Sequence, residues 1–217
     1  MHYARLIGIT TPADGSEMLR SYELLAYCAR VSSSATQGNH HTGARLIRSL
    51  IKREEWSPLE MVSLTIEIET TRDIGRQILR HRSFSFQEFS QRYADVDMDE
   101  LVLREARQPH PTDRQMSDPM ADATVADWWA RVQVAMRAHV AQQYRAARQM
   151  GIAKEVARTI LPEGMTPTRM YAAGTLRSWW HYCMLRTQEG TQAEHRQVAQ
   201  ACLEIVLGEF PVLRELV

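Results

Sequence analysis

The sequence lacks the features that mark common nucleotide-binding and membrane proteins. It contains neither a G-x-G-x-x-G nor a G-x-x-x-x-G-K-[ST] motif. A dinucleotide fold of the Rossmann type and a phosphate-binding glycine loop are therefore excluded as the basis of ligand binding. No apolar run approaches the ~20 residues of a membrane span, and no apolar signal segment follows the first five residues. We expect no association with a membrane.

The chain also lacks an excess of charge and a cysteine framework. Its 26 Lys and Arg residues balance 26 Asp and Glu residues, whereas a general nucleic-acid binder is normally basic. Its three cysteines are odd in number and lack metal-site spacing, which indicates a reducing cytoplasm. The pair His40-His41 has no third ligand spaced to join it, so we expect a solvated loop there and no metal site.

Hydrophobic periodicity predicts an α+β fold. Apolar Val62, Leu64, Ile66 and Ile68 alternate with polar residues, as in a strand of an antiparallel sheet with one wet face. Residues 124–150 form a long amphipathic pattern that ends at a glycine, and this pattern predicts a helix with Trp128 and Trp129 in the core. At 217 residues the chain suits one domain, residues 1–217, with an antiparallel sheet packed against helices.

Local signals place the remaining elements. Strands are predicted near residues 6–9 and 168–173, and another is possible near 101–103. Helices are predicted over residues 17–31, 42–54, 73–79, 154–161, 175–188 and 191–208. The predicted capping residues are Ser16, Thr42, Thr70 with Asp73, Thr175, and Thr191 with Glu194. Cys28 and Cys183 are interpreted as small core residues.

The most informative stretch runs from Arg80 to Tyr93. It opens with Arg-His-Arg and interleaves hydroxyls, an amide and a carboxylate with three phenylalanines, without Gly or Pro. Planar guanidinium groups suit phosphate and carboxylate oxygens. An ordered polar segment held by aromatics is favoured over a solvated turn, and the local cationic cluster on a neutral chain favours a small anionic ligand.

This stretch resembles the signature of the flavin-dependent thymidylate synthases. Arg80-His81-Arg82 is followed by seven residues and then by Ser90-x-Arg92. The resemblance extends from about Ala29 to the last helix. It implies a non-Rossmann flavin-binding fold and the synthesis of dTMP from dUMP. Methylenetetrahydrofolate would donate the carbon, and FAD reduced by NADPH would supply the hydride.

The resemblance also implies individual site residues. Positions that match contacts to dUMP are Gln77, Arg80, Glu88, Ser90, Gln91, Arg92, Arg158 and Arg186. Positions that match contacts to FAD are Ser57, Arg80, His81, Arg82, Ser83, Glu88, Thr175, Arg177 and His181. Ser32 and Glu60 lie in segments that line the flavin in the family. Three positions depart from the family pattern, mainly on the flavin side. Thr175 stands where many members have Asn, Gly190 where many have His, and Glu55 near the position where a His often precedes the Ser/Thr-Pro turn.

Arg186 matches the family residue credited with activating the uracil ring. A fixed guanidinium near the N3/O2 edge would stabilise the electron-rich ring that methylation at C5 requires. The structural alternative is an internal ion pair, of Arg158 or Arg186 with Glu155 or Glu194, since an arginine among apolar residues is costly unless paired. Cys183 lacks an activating neighbour in its local sequence, so no cysteine nucleophile is predicted.

Two other functions are compatible with the sequence. A related enzyme could add a different one-carbon group to a pyrimidine nucleotide, such as hydroxymethyl. A non-catalytic anion- or nucleic-acid-binding module could use the Arg80–Arg92 cluster, although zero net charge argues against nucleic acid. The family resemblance further implies a homotetramer with active sites at subunit interfaces.

Overall fold

The computed structural model describes residues 2–13, 18 and 20–217. The strands are β1 Tyr3–Ile9, β2 Ser63–Thr71, β3 Ser85–Glu88, β4 Arg107–Pro109, β5 Ser117–Pro119 and β6 Pro167–Thr175. The helices are α1 Ser21–Ala29, α2 Gly43–Lys52, α3 Arg72–Ile78, α4 Ala123–Gln149, α5 Lys154–Ala157, α6 Leu176–Arg186 and α7 Ala193–Glu209. Within the described part, no helix is long and apolar enough to cross a membrane.

The main sheet has the strand order β1-β2-β6-β3, and each neighbouring pair is antiparallel. The predicted α+β class and the antiparallel sheet are confirmed. Leu64, Ile66 and Ile68 on β2 are buried, as their alternation predicts. The opposite face of β2, predicted to be exposed to solvent, is exposed only in part, because Glu67 on that face is 3 % exposed. Its carboxylate lies 2.9 Å from the Arg5 guanidinium on β1, so an ion pair across the strands compensates its burial.

Helices α1, α2, α6 and α7 share the main hydrophobic core with the sheet. Trp179 on α6 is buried in this core, and its indole Nε1 donates a hydrogen bond of 3.1 Å to the Leu64 carbonyl on β2. This bond fixes α6 against the central strand, because a buried indole N–H requires an acceptor. Cys183 and Cys202 are also buried, as predicted for Cys183, whereas Cys28 is half-buried.

Helix α4 has nearly the predicted limits, but the prediction that its tryptophans are core residues is wrong. Trp128 is 56 % and Trp129 is 38 % exposed. The buried seam of α4 lies further along the helix, where Val140 and Tyr144 pack on a second cluster with Val96, Met98 and Leu101. The N-terminal half of this helix therefore projects apolar side chains away from its own chain.

Four smaller predictions need correction. No strand forms at residues 101–103. One backbone hydrogen bond is described there, from the Val102 N–H to the Met165 carbonyl, and the small hairpin of β4 and β5 follows. The residue before α3 is Thr71, one position after the predicted cap. Gln192 precedes α7, and no capping bond from Thr191 forms. Helix α1 begins at Ser21; the predicted cap Ser16 lies outside the described residues.

Candidate active site

The Arg80–Tyr93 stretch connects α3 to β3 and continues beyond it. The Phe84 ring packs edge-on against Trp179, with 4.6 Å between ring centroids, and it lies directly over Gly174 on β6. A Cβ atom at Gly174 would be 2.5 Å from Phe84 Cδ1. The stretch is thus held by its aromatics, as predicted, while Arg80, Arg82 and Ser83 remain exposed. The close approach of the Phe84 ring to the β6 backbone needs a glycine at position 174.

Arg186 and His81 meet at the centre of the candidate site. Arg186 Nε donates a hydrogen bond of 3.0 Å to His81 Nε2, so the neutral imidazole carries its proton on Nδ1. Burial, then the positive charges of Arg186 and Arg80, lower the pKa of His81 to about 4. The imidazole is therefore uncharged at neutral pH, and it positions the guanidinium without neutralising it.

Arg186 forms no ion pair with any carboxylate among the described residues. The proposed structural partner, Glu194, instead accepts a bond of 2.5 Å from Arg107 and lies 3.8 Å from Arg104. The alternative of an Arg186–Glu194 ion pair is therefore wrong. Burial would raise the pKa of Glu194, but the bonds from Arg107, from its own backbone N–H and from Gln192 lower it to about 2.

Gln77, at the end of α3, is half-buried and joins a partly buried chain of hydrogen bonds. Its Oε1 lies 3.2 Å from His195 Nδ1, and His195 Nε2 lies 3.1 Å from the Tyr182 hydroxyl. Its Nε2 donates a bond of 2.7 Å to Gln192 Oε1, and Gln192 Nε2 donates one of 2.9 Å to Glu194. Burial, then the charge of Arg186, lowers the pKa of His195 to about 3. The imidazole of His195 is uncharged.

The residues predicted from the sequence do not include His195, Gln192, Tyr182 or Arg107. One signal was present in the sequence: His195 stands in helical register with Val198, Ala199 and Cys202, all of which are buried. A histidine on the apolar face of a helix needs buried partners for both ring nitrogens. Periodicity could therefore identify His195 as buried, but its partners come from positions 13 and 118 residues away.

A second group of predicted residues lies around the N-terminus of α6. Thr175 caps this helix, as predicted, by accepting a bond of 3.3 Å from the Ser178 N–H. Ser178 Oγ donates to the Ser83 carbonyl at 3.2 Å. Arg177 pairs with Glu60 at 2.5 Å, and the rings of His181 and Trp56 are 4.4 Å apart. Burial, then the charge of Arg177, lowers the pKa of His181.

Ser57 and Glu60 belong to a 3-10 turn, Ser57–Met61, that lies against α1 and α6. Their side chains are exposed, as is that of Ser32 in the turn after α1. Glu60 is a carboxylate and pairs with Arg177. Arg82 adds an exposed cationic donor to this surface, and Ser32, Ser57 and Ser83 add exposed hydroxyl donors. Such donors suit the oxygens of a pyrophosphate.

The remaining predicted residues form a third group. Glu88 accepts a bond of 2.9 Å from Thr168 and lies 3.5 Å from Arg72 and 3.2 Å from Arg76. It is therefore held within its own chain, and it anchors β3 to α3. Ser90 is exposed. Gln91 is buried, and its Nε2 has no hydrogen-bond partner among the described residues.

Arg92 and Arg158 belong to this third group. Arg92 pairs with Glu155 at 3.3 Å, and both side chains are largely exposed. Glu155 was one of the two carboxylates proposed for Arg158 or Arg186. Arg158 is half-buried at the end of α5, and its charge contributes to lowering the pKa of Arg72, which burial lowers most. No described contact joins Arg92 or Arg158 to Arg186.

One cavity of about 290 Å³ lies between β2, β6 and the segment after β3. Its lining includes Glu69, Asp95, Asp97 and Glu100 beside a single cation, Arg169. Four carboxylates repel phosphate groups, so this cavity does not fit an anionic nucleotide. The candidate site is the surface around Gln77, His81 and Arg186.

Comparison with known proteins gives a consistent family. The family described as "Thymidylate synthase complementing protein" matches residues 16–212. A protein named "Probable flavin-dependent thymidylate synthase" from Paramecium bursaria Chlorella virus 1 is 44% identical over 209 residues, which are 96% of this chain and 95% of that protein. The "Flavin-dependent thymidylate synthase" of Synechocystis sp. is 44% identical over 212 residues, 96% of each chain.

A solved structure has the same fold. The UMP/dUMP methylase PolB from Streptomyces cacaoi, bound with 5-Br dUMP, superimposes with a TM-score of 0.79 at 23% sequence identity, covering 99% of this chain and 95% of that one. The likeness supports the non-Rossmann α+β architecture. Together with the match over residues 16–212 and the two relatives at 44% identity, it leads to one assignment. This chain belongs to the flavin-dependent thymidylate synthase family, which the matching description calls thymidylate synthase complementing protein.

Proposed function

We propose that this chain, as one domain, methylates dUMP to dTMP, with methylenetetrahydrofolate as carbon donor and FAD reduced by NADPH as hydride source. The observation that carries the proposal is the geometry of Arg186. Its guanidinium is held by a neutral imidazole, His81, at 3.0 Å within the signature stretch, and no described carboxylate neutralises it. Such a cation is available to a ligand that develops negative charge.

The proposed role of Arg186 is to bind one edge of the uracil ring. C5 can attack the donated carbon only when the ring is electron-rich, and a fixed guanidinium at the N3/O2 edge stabilises the negative charge of that form of the ring. No cysteine nucleophile is needed. Cys183 is fully buried, and burial raises the pKa of its thiol well above the usual value, so its thiolate is not populated at neutral pH.

The nucleotide is proposed to contact the first and third groups of the site. Its contacts are Gln77, Arg80, Glu88, Ser90, Gln91, Arg92, Arg158 and Arg186. The unpartnered Nε2 of buried Gln91 supports a ligand there, since buried amide donors are normally satisfied. Arg92 is largely exposed, so its weak surface pair with Glu155 can open at little cost.

FAD, when bound, would supply the hydride that reduces the transferred carbon to a methyl group. The residues proposed to hold it are Ser57, Arg80, His81, Arg82, Ser83, Glu88, Thr175, Arg177 and His181. The exposed donors of Arg82 and Ser83 and the aromatic pair of Trp56 and His181 fit an anionic, partly aromatic group. The Arg177–Glu60 pair would orient Arg177 at this surface.

We further propose a homotetramer with active sites at subunit interfaces. Two observations support it. Within one chain the groups around Arg186 and around Arg92 are not joined by any described contact, and the flavin surface is open. In addition, α4 exposes Trp128, Trp129, Val134 and Met136, and contiguous exposed apolar side chains typically mark protein interfaces. The neutral net charge argues against nucleic-acid partners, and the free cysteines suit the cytoplasm.

The first test is the visible spectrum of the purified protein with and without dUMP. We expect a yellow protein that releases FAD on denaturation and oxidises NADPH anaerobically only when dUMP is present. Product mass should show gain of a methyl group rather than hydroxymethyl. A colourless protein that neither binds FAD nor oxidises NADPH in the presence of dUMP would contradict the proposal. Steeply salt-dependent DNA binding without dUMP binding would favour the nucleic-acid alternative.

A further inference from the structure

Five side chains from α3, α6 and the start of α7 form a continuous chain of hydrogen bonds. In order they are Glu194, Gln192, Gln77, His195 and Tyr182, and the successive donor–acceptor distances are 2.9, 2.7, 3.2 and 3.1 Å. Gln77 lies in the middle of this relay. At one end of it, Glu194 is held by Arg107 and Arg104. At the other end, Tyr182 is buried against His81.

We propose that Glu194 is a positioning residue that fixes the orientation of the Gln77 amide at the nucleotide site, through the relay. This inference rests on the proposed function, because it takes Gln77 to contact the nucleotide. Glu194 itself is assigned no contact with substrate. The relay determines which end of the Gln77 amide donates and which accepts.

The direction of the first bonds follows from the carboxylate. An ionised carboxylate only accepts hydrogen bonds, and Glu194 is ionised because its pKa is about 2 with Arg107 at 2.5 Å. Gln192 must therefore turn its NH₂ group towards Glu194, which leaves its carbonyl oxygen facing Gln77. A carbonyl oxygen also only accepts, so Gln77 must present its own NH₂ group to Gln192.

The same reasoning continues to the other end. With its NH₂ group towards Gln192, Gln77 presents Oε1 to His195, so His195 must carry its proton on Nδ1. The imidazole is neutral, so its Nε2 accepts, and the Tyr182 hydroxyl donates to it. If the Gln77 amide were flipped, donor would face donor at His195 and acceptor would face acceptor at Gln192. Buried groups left unpaired in this way are unfavourable.

The relay has a consequence for the ligand. Two of the hydrogen-bonding positions of Gln77 are used internally, and the remaining Nε2–H and Oε1 lone pair have fixed directions. A nucleotide acceptor placed opposite Nε2–H is therefore bound without a flip of the amide. The neutral state of His195 matters as well, because its ring is 6.3 Å from that of His81, the partner of Arg186.

The test is the Glu194→Gln variant, which has nearly the same shape but can donate as well as accept. In ¹⁵N-histidine protein, we expect His195 of the parent to be in the Nδ1–H tautomer, with its signal assigned from a His195→Gln spectrum. The Glu194→Gln variant should show a mixture of both His195 tautomers. Its dissociation constant for dUMP by calorimetry should rise ~3–10-fold, the value of about one hydrogen bond, and its KM for dUMP should rise equally with kcat within about twofold.

A matched control is Glu215→Gln, which makes the same change in the ion pair with Arg48. It should alter neither the tautomer nor dUMP binding. If Glu194→Gln fails to fold, Gln192→Met cuts the relay while keeping the Glu194–Arg107 pair, and the same changes are expected. An Nε2–H tautomer in the parent, or unchanged tautomer and dUMP affinity in the folded variant, would overturn the relay. A parent with the Nδ1–H tautomer that binds no dUMP would overturn the proposed function and leave the tautomer assignment standing.

Discussion

The relay around Gln77 and the outer face of α4 satisfy opposite requirements. In the relay, polar side chains are buried or half-buried, and each is paired within its own chain, from Glu194 to Tyr182. On α4, apolar side chains are exposed, and the rings of Trp128 and Trp129 lie tilted at 39° to each other, with centroids 6.3 Å apart. The first region shields polar side chains from water, and the second leaves apolar side chains in contact with water.

The difference indicates which parts of the site one chain completes by itself. The orientation of Gln77, His81 and Arg186 is determined by contacts inside the chain, so it should persist at any protein concentration. The exposed face of α4 and the open surface proposed to hold FAD are not covered within one chain, so we expect both to depend on association. Each of the following variants changes one side of this comparison and leaves the other intact.

The largest effect is expected for Arg186→Lys. Lysine keeps the charge but lacks the planar fork, so it cannot make a bidentate contact along the uracil edge. Loss of one preorganised stabiliser of developing charge typically costs ~10²–10³ in rate. We expect that loss in single-turnover methylation at saturating dUMP. The melting temperature should fall only slightly, because no described ion pair is broken and the described bond that is lost is the hydrogen bond to His81. Arg80→Lys is the companion variant and should instead weaken dUMP and FAD binding together.

Two outcomes would contradict this assignment. A sharp fall in melting temperature with normal turnover of the folded fraction would make Arg186 structural. Equal loss of activity in Arg186→Lys and in a variant of the α4 surface would mean that association, and not the guanidinium, limits the reaction.

The second effect concerns α4. We expect the Trp128→Ser, Trp129→Ser double variant to dissociate into monomers, because tryptophans that become buried at an interface are typical hot spots, and truncation of each costs ~2 kcal/mol or more of association free energy. Sedimentation velocity at micromolar concentration measures this directly. Ile7→Ser is the control, since Ile7 is similarly exposed but lies on the edge strand β1. A parent protein that is monomeric and fully active at nanomolar concentration would contradict the predicted assembly.

The third effect tests how the signature stretch is held. A methyl group at Gly174 would lie 2.5 Å from Phe84 Cδ1, and Phe84 cannot withdraw freely because it packs on Trp179. We expect Gly174→Ala to lower the free energy of unfolding by ~1–3 kcal/mol, as overpacking does. Gly208→Ala on α7 has open space around its Cβ and should stabilise by ~1 kcal/mol through helix propensity. Equal stability of the two variants in urea would contradict this account.

The sequence predicted those features that depend on local periodicity. The alternation in β2 and the amphipathic pattern of α4 gave elements with nearly correct limits, and Thr175 was correctly identified as a helix cap. The amphipathic pattern of α4 could not separate its buried seam from an apolar face turned outward. The pairing of Gln77 with His195 joins residues 118 positions apart. Contacts of that kind depend on tertiary packing and leave no local pattern.

The smallest effect is a dependence of stability on pH that arises in the relay. Burial, then the charge of Arg186, lowers the pKa of His195 to about 3, whereas an unfolded chain titrates near the ordinary value of 6.5. As pH falls from 6.5 to 4.5 the unfolded state therefore increasingly binds an extra proton, and the free energy of unfolding falls, by up to ~1.4 kcal/mol per pH unit for one such histidine. Glu194 contributes little in this window, because its pKa of about 2 lies below it.

Urea unfolding at pH 6.5, 5.5 and 4.5 measures this effect. His195→Gln should show a shallower slope of unfolding free energy against pH than the parent. His139→Gln, at an exposed position on α4, should show the same slope as the parent. Identical slopes for His195→Gln and the parent would mean that His195 gains its proton in the folded chain, and the relay would then lose its acceptor at Nε2.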